Sequence, residues 1–165
     1  MNTIAIVIEE ILKFSSRVLT ITDGVTEVEI KAFEEKYNLN LPGDYKTFLE
    51  KTNGLDLMGT IVYGIYDEST TMSLGRAFNI EHYEVDNEMP TYLIPFSPDG
   101  GGNHYCFDAT RGDGVSCKVV FWQHNLLYSK ESPPKTVNNS FTEWAKEVLV
   151  DWTLEDYDHN GNRNV

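Results

Sequence analysis

The stretch Pro95-Phe96-Ser97-Pro98-Asp99-Gly100-Gly101-Gly102-Asn103 holds the most unusual local chemistry of the chain. Three consecutive glycines can aim backbone N–H groups at an anion. They equally suit a tight hairpin that needs positive φ. No Walker-type lysine follows, and no Lys or Arg lies between Ala77 and Thr110, so a phosphate finds no countercharge in this segment. We read Gly100, Gly101 and Gly102 as a structural turn.

Other constellations are weaker. His104 and Cys106, with Cys117 and His124 downstream, are zinc-type ligands, and a strand puts the first two on one face. Their spacing is unlike the close pairs of structural zinc sites. The expectation is core cysteines and surface histidines, without metal or cofactor. A nucleophilic triad is formally available from Ser97 or Cys106, His104 or His124, and a carboxylate. No nucleophile elbow or cysteine-protease signature surrounds them, so an enzyme is not expected. The tail from Asp156 to Asn162 matches the first half of an EF-hand loop, with oxygens at its first, third and fifth positions and Gly at the sixth. The closing glutamate is missing, so residues 156–165 read as a polar C-terminal tail after one domain over residues 1–155.

Charge carries more information. The 165 residues include 26 acids and 13 Lys or Arg, for a net charge of −13. That opposes binding to nucleic acid, whose phosphates are met by Lys and Arg, and docking on anionic membranes. Glu81, Glu84, Asp86, Glu88, Asp99 and Asp108 form a run with no interspersed Lys or Arg. Such a run is a solvated face or a surface that meets a basic protein partner. Ile4 to Ile8 lacks the basic flank of a secretory signal, and no apolar run approaches membrane-span length. The expected compartment is the cytosol.

These residues need elements to hold them. Ile4, Val7, Ile8, Ile11 and Val18 follow a helical period. Thr26 and Glu29 form a capping box for a second helix, with Val25 and Ile30 as its staple. Pro42 suits the first turn of a third helix, whose stripe is Tyr45, Phe48 and Leu49 and whose stop is Asn53-Gly54. Strand signals follow at Thr60 to Tyr66, Thr91 to Phe96, Asn103 to Phe107 and Val115 to Gln123, the last three joined by hairpin turns. Ser140 and Glu143 cap a closing helix carrying Phe141, Trp144, Val148, Leu149 and Trp152. Trp122 and Trp144 read as core aromatics, and Trp152 as packing or contact. The pattern is α+β, with N-terminal helices, a mainly antiparallel meandering sheet and a closing C-terminal helix.

Four segments in this order, LPGDYKTFLEKTNG, YLIPFSPDGGGNHYCFD, VVFWQHN and SFTEWAKEVL, resemble the SUKH superfamily, the Smi1/Knr4-like domain. The resemblance spans roughly residues 22 to 150. It implies one α+β domain without catalytic residues or cofactors. Its bacterial members are chiefly immunity proteins that bind and block a cognate toxin domain, often a nuclease. Its fungal relatives regulate cell-wall synthesis, which leaves an intracellular scaffold or regulatory module as the alternative, and a small hydrolase as the last. The motif positions Pro42, Gly54, Pro95, Gly101, Gly102 and Trp144 suit turn, cap and core roles. Leu55 and Asn103 depart from the Gly and Asp that many members carry at those places. The expected contact surface is the acidic run from Glu81 to Asp108.

Overall fold

The computed structural model describes residues 3–165; the first two residues of the expected domain lie outside it. Four of its five described helices, all but α3, begin where a side chain satisfies orphaned N–H groups. Thr3 caps α1 (Ile4–Ile11). Thr26 and Glu29 complete the capping box of α2 (Glu27–Tyr37), with Glu29 Oε2 accepting the Thr26 N–H at 2.7 Å. Pro42 precedes α3 (Gly43–Lys51). Ser73 caps α4, which runs through Leu74–Asn79 and widens to π geometry at Ile80–Glu84. Ser140 caps α5, formed by Phe141–Trp144, a wide segment Ala145–Asp151, and Trp152–Asp156.

Two antiparallel sheets complete the fold. The first has the order β1 (Leu19–Asp23), β2 (Thr52–Leu57), β3 (Thr60–Val62). The second is a meander of β4 (Leu93–Pro98), β5 (His104–Gly112), β6 (Cys117–Trp122) and β7 (Lys135–Asn138). The sheets meet at the end of β3. There the Tyr63 N–H donates to the Phe96 carbonyl at 2.9 Å, and the Ser97 hydroxyl donates to the Ile61 carbonyl at 2.6 Å.

Several sequence expectations shift. The helical period through Val18 fails, because α1 ends at Ile11 and Val18 leads into β1. Asn53-Gly54 is not a helix stop but part of β2, where Gly54 has φ +74° and a Cβ would stand 2.6 Å from the Val62 carbonyl oxygen. The strand expected over Thr60 to Tyr66 shortens to three residues. The helix α4 and the strand β7 were not expected.

One face of the meander joins the helices in the main core. Tyr45, Phe48, Phe96, Phe107, Phe141 and Trp144 are all fully buried there. Phe96 stacks on Phe107 at 4.2 Å, and Trp144 meets Phe96 edge-on at 4.8 Å, the geometries aromatic quadrupoles favour. The Tyr45 hydroxyl, deep in this cluster, donates to the Tyr63 carbonyl at 2.6 Å. The other face carries a smaller cluster of Met89, Leu93, Cys106, Val120 and Trp122, covered by Tyr128. No described helix is long and apolar enough to cross a membrane.

After α5 the chain folds back onto the turn that follows α1. The His159 carbonyl accepts the Ser15 N–H at 2.8 Å, and its ring lies 4.9 Å from that of Phe14.

Candidate functional site

The glycine turn connects β4 to β5 and encloses a carboxylate of its own. Asp99 Oδ1 accepts the N–H groups of Gly101 and Asn103 at 2.7 and 2.9 Å, and its Oδ2 accepts the Asn103 side-chain amide at 2.7 Å. Burial alone would raise the Asp99 carboxyl, but these donors hold it below its ordinary range. Two backbone donors that an external anion would compete for, those of Gly101 and Asn103, are therefore already directed at Asp99. Gly100 and Gly102 have φ of +83° and +93°. The C-terminal segment repeats the device: Asp158 accepts the N–H groups of Asn160 and Asn162 and the Asn162 side-chain amide. That carboxylate serves its own turn rather than a half-built calcium loop.

The six acids of the expected surface part company. Glu84, Asp86 and Glu88 are exposed at the end of α4 and in the loop after it, and none forms an ion pair with a described residue. That loop is fixed between Asp86 and Glu88 and again just after Glu88. Asn87 donates to the His124 and Leu126 carbonyls at 2.8 and 2.9 Å, and the Met89 N–H reaches the Glu81 carbonyl at 2.8 Å. Asp99 is exposed but occupied by its turn. Asp108 is buried on β5, accepts the Thr110 hydroxyl at 2.5 Å and pairs with Arg111 Nε at 2.7 Å. Glu81 turns inward, with its side chain 13% exposed. The absence of basic neighbours expected from the sequence thus fails at Asp108, which finds Arg111, and at Glu81, which shares a cleft with Arg76.

That cleft, about 290 Å³, lies between α4 and the glycine turn. Tyr63, Thr71, Arg76, Glu81 and His104 bring polar groups to its wall. His104 is buried, and desolvation lowers its pKa to about 4, so the ring is neutral at ordinary pH. Burial pushes the Tyr63 phenol up to about 12 and raises the Glu81 carboxyl. Tyr63 and Arg76 were not identified from the sequence. They come from the end of β3 and from α4, and no short motif links them to His104.

The other sequence candidates disperse. Cys106 lies in the small outer cluster, whereas Cys117 belongs to the main core. The Cys106 thiol is raised well above its ordinary value by burial, and Ser97 is fully buried with its hydroxyl on Ile61. His124 Nδ1 rests 2.9 Å from Asn103 Oδ1. Among the described residues no group of three or more His, Cys, Asp or Glu is placed to hold a metal ion. Trp122 and Trp144 are buried, while Trp152 is 48% exposed on a groove it shares with Met58, Tyr105 and Tyr157.

Comparison with known proteins bears on the family and the fold. Residues 24–147 match the SMI1 / KNR4 family (SUKH-1). A curated relative, an SPbeta prophage-derived uncharacterized protein, YokK, of Bacillus subtilis (strain 168), is 27% identical over 158 aligned residues, covering 79% of this chain and 77% of the relative. A crystal structure of a protein from Pseudomonas syringae pv. tomato superposes with a TM-score of 0.65 at 21% identity, covering 89% of this chain and 98% of that one. At that identity the superposition speaks for the fold.

Proposed function

This chain belongs to the SMI1 / KNR4 family (SUKH-1), and from that membership we infer that it is a non-enzymatic cytosolic immunity protein. It binds a cognate toxin domain with a basic active-site groove, a nuclease above all, and blocks it. The observation that carries this reading is the exposed trio Glu84, Asp86 and Glu88 on a loop anchored at Asn87 and Met89. Nuclease grooves are basic because their substrate is a polyanion. A rigid, unneutralised acidic loop on a chain of net charge −13 is complementary to such a groove and accelerates encounter with it. Asp99 and Asp108 are occupied within the fold and contribute to the long-range field rather than to direct contacts.

The deciding experiment is co-expression with a candidate toxin domain encoded beside the gene. Survival of the cells and co-purification of the two chains support the reading. Cell death, or survival without a complex, counts against it.

A further inference from the structure

Polar side chains with unfilled bonding capacity converge on the cleft between α4 and the glycine turn. His104 Nδ1 is buried and has no hydrogen-bond partner among the described residues. Its nearest carboxylate oxygen, Glu81 Oε1, stands 4.0 Å away, beyond hydrogen-bond length. On the other side of the ring, Nε2 lies 3.3 Å from the Tyr63 hydroxyl. A phenol both donates and accepts, so either tautomer of the neutral ring meets Tyr63 at Nε2 and leaves Nδ1, on the side of Glu81, unused.

Two opposite charges line the same cleft without pairing. Arg76 and Glu81 both stand on α4, one position beyond the spacing at which helical neighbours pair. Neither makes an ion pair with a Lys, Arg, Asp or Glu among the described residues. Sheltered charges and buried polar atoms are normally satisfied, and exceptions need a reason. An anionic ligand alone would place its charge against Glu81. A cationic ligand alone would place its charge against Arg76. A ligand that carries both charges satisfies both residues.

We propose that this cleft binds a small zwitterion of the α-amino acid type, its carboxylate on Arg76 and its ammonium group on Glu81, beside His104 Nδ1. The cleft volume of about 290 Å³ admits a ligand of that size. Gly100 and Gly102 border it without side chains. The site is separate from the exposed acidic loop and stands whether or not that loop meets a toxin.

The test is calorimetric titration of the full chain with each common L-amino acid. For any that binds, the matched N-acetyl amino acid and amino acid amide follow, each lacking one charge. The expected result is saturable binding of at least one amino acid, with both singly charged analogues at least tenfold weaker. Arg76→Gln and Glu81→Gln should each weaken binding at least tenfold, since each removes a charge-assisted contact. The ring-proton resonances of His104 in the unsubstituted chain should move on saturation, a readout that survives even if a variant fails to fold. The proposal is overturned if no amino acid gives saturable heat, if the singly charged analogues bind as tightly, if the His104 resonances stay in place, or if folded variants bind like the unsubstituted chain.

Discussion

Asp44 on α3 caps the closing helix from outside: its Oδ2 accepts both the N–H and the hydroxyl of Thr142 at 3.0 Å. Its Oδ1 accepts the Tyr45 N–H, also at 3.0 Å. A carboxylate at the first turn of α5 also lies at the positive end of the helix dipole. One buried acid thus ties the N-terminal half of the chain to the last helix.

Replacing Asp44 by Ala should destabilise the protein by about 1–3 kcal/mol, because Thr142 is left with unsatisfied groups in a part-buried place. The pH dependence has a definite sign. Burial raises the Asp44 carboxyl above its ordinary value of 3.8, and the hydrogen bonds only partly offset this. The folded state therefore holds that proton more tightly than the unfolded state. The contribution of Asp44 to stability falls as pH rises from about the ordinary value through the raised one. Asp44→Asn should remove this slope. Chemical denaturation at a series of acidic pH values measures it.

The glycine turn predicts a graded series. Gly102→Ala meets both a left-handed backbone and His124 Nδ1, 3.0 Å from the new Cβ. Gly100→Ala meets only the left-handed backbone, and Gly101→Ala meets neither strain. The expected losses are more than about 1 kcal/mol, about 1 kcal/mol and close to zero, since the left-handed cost is roughly 1–2 kcal/mol per residue. Thermal melting of the three variants checks the order.

Trp144→Ala should cost about 3–5 kcal/mol, the usual range for a large aromatic removed from a core. A chain ending at Asn139 loses Phe141 and Trp144 together and should not melt cooperatively. Trp152→Ala, at an exposed position, should leave the melting temperature within a degree or two of the unsubstituted chain.

The readable parts of this fold were those with local causes. Thr26 and Glu29 announced α2, and Ser140 announced α5, because capping is decided within one helical turn. The aromatic stripe of α3 and the hairpins around the glycine turn were legible for the same reason. The strand β1 was not, because Thr20-Ile21-Thr22 is exposed on both faces and shows no alternation of burial. Asn53 misled because its amide brackets the Ile65 backbone, donating to the carbonyl at 2.8 Å and accepting the N–H at 2.6 Å. That is a tertiary use of a residue whose local preference is a helix stop. The acidic run misled in a similar way. Sequence adjacency does not tell that Asp108 folds onto Arg111, that Asp99 closes its own turn, or that Glu81 turns inward beside Arg76.

The central claim is that Glu84, Asp86 and Glu88 steer a basic partner onto the acidic loop. It is tested most directly by the association rate with a candidate toxin domain that the chain protects against, followed by stopped flow across a range of ionic strength. The combined variant Glu84→Lys, Asp86→Lys, Glu88→Lys should associate about tenfold more slowly or worse at low salt, within the ~10- to 1,000-fold range of electrostatic steering. Its melting temperature should stay unchanged. The rate for the unsubstituted chain should fall steeply as salt rises, and that of the variant should fall less. A variant that associates as fast as the unsubstituted chain at low salt would contradict the account and move the interface away from this loop.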